Sequence, residues 1–134
     1  MDCNPVTTPA DSNSCLVASL SPSYEVFLFS EAVGSLLYPM LSERSDINFA
    51  IIKVAQFVSQ PDRSHWTTVK RIVSYLKGTT TFGIRFGDTN DVLLKAFSYA
   101  DYAGDLDTRR SITGYILLLN GGPVAWGSAV KNAF

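Results

Sequence analysis

Two groups of residues in this 134-residue chain have types and spacings that could do chemistry. Asp101, Asp105 and Asp107 form a carboxylate-rich stretch, and clustered carboxylate oxygens are what a hard divalent cation prefers. Arg109 and Arg110 follow at once and can neutralise the last two, so the stretch also reads as a salt-bridged surface loop. Asp101 is then the candidate metal ligand. The second group is basic. Arg63, Lys70, Arg71 and Lys77 cluster in a stretch, Asp62 to Arg85, where five basic residues meet one acid. Spacing puts Lys70, Ser74 and Lys77 on one helical face. That face could follow a nucleic-acid phosphate backbone, or it could be the solvated side of an amphipathic helix.

The other reactive types point elsewhere. His65 has no partner at an informative spacing; with Trp66 it could stack on a base, but the commoner arrangement is a core Trp66 beside a first-turn His65. Cys3 and Cys15 are the only cysteines, which leaves no four-ligand zinc set and no sign of thiolate activation, so unpaired thiols are expected. Without a disulfide framework or a secretory leader, the expected compartment is intracellular. A net charge of −1 gives no overall attraction to nucleic acid or membrane, so any attraction must be local. The longest apolar run, Ala32 to Leu41, is about half of what a bilayer crossing needs, and no membrane partner is expected. Apolar residues at 46% and charged residues at 17% exclude disorder and call for a packed core.

The elements that must position these residues follow from period and punctuation. Residues 1–29, rich in Pro, Ser, Thr and Asn, read as an extended connector. A helix is expected from Ser30, as its cap, to about Ser42, with a kink or early stop at Pro39. Ile47, Ile51, Val54 and Val58 recur at helical spacing, and apolar neighbours make this second helix buried nearly all round, with Ser45 as its cap. Pro61 ends it. Ser64 opens a third helix with Trp66, Val69, Val73 and Leu76 as its stripe, and Gly78 stops it. Beyond Gly78 the period becomes two. Phe82 to Phe86 and Val92 to Ser98 read as a hairpin, followed by strands Ile112 to Leu119 and Val124 to Gly127 around an Asn120-Gly121-Gly122-Pro123 turn. The fold class is therefore α+β, a three-helix segment followed by an antiparallel sheet of three or four strands.

On that layout, four stretches resemble copia-type retrotransposon Pol polyproteins: DCNPVTTP from Asp2, EAVGSLLY from Glu31, HWTTVKRIVSYLKGT from His65, and ADYAGDLDTRRSITGYILLLNGGPVAW from Ala100. The resemblance implies that residues 30–80 are the thumb-like end of a reverse transcriptase and that residues 81–134 begin a ribonuclease H-like domain. It also implies magnesium chemistry in the parent family and an RNA–DNA hybrid or DNA as partner for the basic face. Several positions depart from the family. The paired aspartates of a YxDD-type turn are missing, which puts the polymerase site upstream of residue 1. Tyr99 stands where the family's Y-S-D-A-D-Y-A-G motif has the first ribonuclease H aspartate, and a phenol is a poor substitute for an anionic metal ligand. Ser45 replaces the proline of T-R-P-D-I, and Pro39 replaces a leucine-like residue. The chain by itself is therefore expected to be no enzyme and to need no cofactor. A partial sheet should also leave apolar surface or a strand edge open to self-association.

Overall fold

Phe29, Val33, Leu36 and Met40 lie on one side of a helix, and in the computed structural model, which describes residues 4–11, 14–18, 26–87, 92–101 and 109–131, all four are buried. They form the inner face of α1, Val26–Ser42. The helix starts before the expected Ser30 cap, because burying Phe29 needs the preceding turn; Ser30 lies inside it. Pro39 also lies inside, and the helix does not stop there but runs on to Ser42. Proline deprives the Ser35 carbonyl of its donor, but Ser35 is exposed and water can serve it, while Met40 beyond the proline gains a core position.

The Pro39 carbonyl then accepts from the amides of Glu43 and Arg44 and closes the helix. A 3-10 turn, Ser45–Ile47, leads into α2, Asn48–Ala55. Ser45 opens that turn and caps nothing. Nor is α2 buried all round. Ala50, Ile51 and Val54 are in the core, whereas Phe49 is exposed towards a cleft under the sheet.

The third helix, α3, Arg63–Gly78, takes Asp62 rather than Ser64 as its cap. Asp62 Oδ1 accepts from the amides of Ser64 (2.8 Å) and His65 (3.0 Å), and His65 Nδ1 accepts from the Asp62 amide at 2.9 Å. This is a capping box with histidine in the place usually held by Glu or Gln. His65 lies in the first turn and Trp66 packs on the core, as expected, but the histidine is the deeper of the two: it is wholly buried and stacked on Phe57 with ring centres 4.1 Å apart, while Trp66 is half-buried and T-shaped against Phe29. The apolar stripe of α3 is centred on Val69, Ile72 and Tyr75.

The expected hairpin of Phe82–Phe86 with Val92–Ser98 does not form. Residues 82–87 carry no strand; the Phe86 ring and the Arg85 carbonyl pack against Gly122, whose missing side chain leaves room for them, and the Gly87 amide donates to the Asn120 carbonyl. The sheet is a meander, β1 (Leu94–Ala100), β2 (Ser111–Leu119) and β3 (Gly122–Lys131), in the order β1-β2-β3, all antiparallel. Asn120 and Gly121 join β2 to β3 with φ of 48° and 82°, as the primed turns of tight hairpins require. Three helices and a three-stranded antiparallel sheet agree with the α+β expectation.

The core lies among the helices. The sheet docks on it through β3, where Trp126 Nε1 donates to the Met40 carbonyl at 2.7 Å and Asn48 Nδ2 to Ser128 Oγ at 2.9 Å. Residues 26–29 of the expected connector belong to α1; its other described residues, 4–11 and 14–18, carry no helix or strand but are not loose: Val6 and Ala10 pack on the core, Leu16 is buried, and Lys53 Nζ donates to the Ser14 carbonyl. No helix among the described residues is long and apolar enough to cross a membrane.

Candidate functional site

Arg63, Lys70 and Lys77 recur every seven residues, which on a helix is 20° short of two turns, so they form one slowly drifting row with about 10 Å between steps. All three are exposed on α3. Arg71, the fourth basic candidate, is turned away from the row: its Nη2 donates to Thr8 Oγ1 at 2.8 Å and its Nε to the Thr8 carbonyl at 3.2 Å. Ser74 sits in the row but is buried, its hydroxyl donating to the Lys70 carbonyl. Neither the dedication of Arg71 to the connector nor the burial of Ser74 is encoded in helical spacing.

The second candidate site is where β1 ends. The Asp101 amide donates to the Ile112 carbonyl at 3.1 Å, and Asp101 Oδ1 accepts from the Ile112 amide in return. The side chain thus replaces a main-chain acceptor and finishes the ladder. Tyr99, two residues earlier and opposite Gly114, is exposed. Asp105 and Asp107 lie outside the described residues, as does Cys3. Cys15 carries a free, exposed thiol. Among the described residues, no three of His, Cys, Asp and Glu come together as a metal-holding group.

A cleft of about 500 Å³ opens between this sheet face and the start of α2, walled by Phe49, Phe97, Tyr99 and Trp126. Part of its polar lining is already engaged. Asn48 is tied to Ser128, and Asp46 belongs to a network that sequence reading missed. Arg44 grips Asp46 with two donors, Nε at 3.0 Å and Nη2 at 2.8 Å, and reaches Thr79 with Nη1 to the carbonyl and Nη2 to Oγ1. Tyr75 adds its hydroxyl to Asp46 at 2.7 Å and places its ring under the guanidinium. Hydrogen bonding to Asp46 raises the Arg44 pKa against the pull of burial. Burial alone would raise the Asp46 carboxyl, but the bonds from Arg44 and Tyr75 outweigh it and hold that group below the usual carboxylate value. The network fastens the α1–α2 junction to the end of α3. Arg-x-Asp spacing was its sole trace in the sequence.

No family model matches the chain, and no solved structure matches it. Among known proteins, it is 44% identical over 103 residues to the retrovirus-related Pol polyprotein from transposon TNT 1-94 of Nicotiana tabacum, covering 77% of this chain and 8% of that protein. It is 38% identical over 125 residues to the Pol polyprotein from transposon RE1 of Arabidopsis thaliana, covering 92% of this chain and again 8% of the other. A third relative, secreted RxLR effector protein 161 of Plasmopara viticola, is 42% identical over 97 residues, 72% of this chain and 68% of that protein. The chain thus spans a small part of the transposon polyproteins and about two thirds of the shorter relative. Such identity, sustained over most of the chain and against transposon Pol proteins of different plants, supports a retrotransposon Pol-derived origin for the chain.

Proposed function

We propose that this is a copia-type Pol remnant, with the thumb-like end of a reverse transcriptase in its helices and the opening of a ribonuclease H domain in its sheet, and that it catalyses neither reaction by itself. The end of β1 carries the reading. Ribonuclease H chemistry needs several anionic oxygens around a pair of hard cations, to steady both the attacking and the leaving oxygen. Here Tyr99 brings a phenol, and Asp101 gives one carboxylate oxygen to the Ile112 amide. These donors do not suit the parent family's magnesium pair, so the chain takes no cofactor in this reading. It is an intracellular protein in which Cys15 stays reduced. Incubation of labelled RNA–DNA hybrid with the purified chain and magnesium should give no cleavage above the blank. Cleavage that disappears on Asp101→Asn would overturn the proposal.

The exposed row on α3 favours a second reading, a small nucleic-acid-binding module. Cations aligned on a helix can meet successive backbone phosphates, and each contact adds to the salt dependence of binding. Titration of RNA–DNA hybrid or DNA at two salt concentrations tests it: weaker binding in Lys70→Ala with a shallower salt slope supports the module, and no salt-sensitive binding refutes it. Arg71→Ala should matter less to binding, because Arg71 is held by Thr8.

A further inference from the structure

Thr8 is followed by Pro9, and Arg71 reaches it from α3 with two donors, Nη2 to the hydroxyl at 2.8 Å and Nε to the carbonyl at 3.2 Å. The segment around it is drawn out along that helix. Pro5 lies over Gly78, where an added Cβ would come within 2.9 Å of the proline's own, so the stretch from Pro5 to Thr8 covers α3 from Gly78 back to Arg71. Those helical residues rise roughly 10 Å, which is about the reach of the short stretch only when it is extended. Val6 and Ala10 pack against the core, whereas Thr7 and Thr8 are exposed. Pro9 also keeps Thr8 out of the helical conformation. The hydroxyl therefore sits at the surface of an extended chain, and its bond to Arg71 is itself exposed, so drawing the guanidinium aside uncovers it without opening the core.

We propose that Thr8 is a phosphorylation site for a proline-directed protein kinase and that Arg71 clamps the phosphate it receives. In the transfer, the bond between the γ-phosphorus of a nucleoside triphosphate and its bridging oxygen breaks, a bond from phosphorus to Thr8 Oγ1 forms, and the hydroxyl proton passes to the kinase's catalytic base. The neighbourhood suits the product. A phosphate brings close to two negative charges and three acceptor oxygens, and the planar guanidinium is the side chain that meets such oxygens in pairs. Arg71 already lies within hydrogen-bond distance of the oxygen that phosphorus joins. The rest of α3 adds to the attraction, because Arg63, Lys70 and Lys77 are basic and the helix contains no acid. Thr7 is equally exposed but is followed by Thr8 and not by a proline. Once formed, the phosphate fastens the connector to α3. This inference depends on neither reading of the chain's function.

Incubation of the full chain with a proline-directed kinase and magnesium ATP, followed by peptide mapping in a mass spectrometer, should place phosphate on Thr8 and not on Thr7. The map also separates Thr8 from Ser21, the one serine that precedes a proline. The clamp is tested on the full chain with Thr8 phosphorylated by synthesis, residues 1–14 being joined to the remainder by ligation at Cys15. A cation beside a phosphate favours its dianion, so the phosphorus NMR titration midpoint, about 6 for an unperturbed phosphothreonine, should lie at least about half a unit lower than in the same chain with Arg71→Gln. Kinase treatment that leaves Thr8 unmodified, or equal midpoints with and without the guanidinium, overturns the proposal.

Discussion

Phe29, Ile47, Ile51 and Ile72 in the helical half are wholly buried, whereas in the sheet half Ile112 is the one described large hydrophobic residue that is buried and every residue of β1 is exposed. The two halves have similar apolar content but different ways of using it. Helices α1, α2 and α3 present one stripe each to a shared interior, so each buried residue serves several neighbours. The sheet has two faces and two edges to cover, and the helices reach it mainly at β3. Pairing satisfies the backbone of a strand, but burial needs a second layer.

The largest effects should therefore come from the helices. Phe29→Ala should cost about 3 to 5 kcal/mol in urea unfolding, as for large-to-small changes at a packed site. Phe97→Ala, of similar chemistry in β1, should cost less than about 0.5 kcal/mol. Comparable losses at both sites would break the comparison. Arg44→Met should cost about 2 to 3 kcal/mol, because it strips Asp46 of two of its three side-chain donors and Thr79 of the guanidinium, and hydrogen bonds to charged groups are the stronger kind.

Acid should loosen the helical half in two steps. Burial lowers the pKa of His65, with Asp62 offsetting part of the effect. The unfolded chain then takes up this proton before the folded one does, so the stability is full above about pH 6.5 and falls by about 1.4 kcal/mol for each unit below that, until the folded imidazole itself titrates. Protonation also removes the Nδ1 lone pair that caps the Asp62 amide. Asp46 and Asp62, both lowered, add a second loss as pH drops through the range around and below 4. Unfolding followed against pH should show the first phase vanish in His65→Gln. A flat profile between pH 6.5 and 5 in the parent chain would sink the buried neutral histidine. Smaller than the core and network losses, Asp62→Ala should cost about 1 kcal/mol by removing the acceptor for two amides of α3.

What could be read in advance was local. Helical spacing, the alternation in the later strands, and the Asn120-Gly121 turn all act within a few residues, and each corresponds to an observed element. Errors gathered where two local readings were equally good. Ser64 and Asp62 are both fair caps, but Asp62 also gains the reciprocal bond from His65. The alternation from Phe82 to Phe86 suits a strand, but its expected partner pairs with β2 as β1, and Gly122 offered a close packing site. The row on α3 was half legible: the helix was foreseen, whereas the diversion of Arg71 depended on Thr8, 63 residues away.

The amino-acid order by itself determined the helix-then-sheet plan, the basic row, the phenol at position 99 and the kinship with transposon Pol proteins, because these are properties of residue type and near-neighbour spacing. Tertiary structure alone decided that His65 lies deeper than Trp66, that Arg44 and Asp46 bind α1 to α3, and that Arg71 is held by Thr8. Those outcomes turn on contacts between distant segments, where burial and hydrogen-bond satisfaction over the whole molecule outweigh local preference.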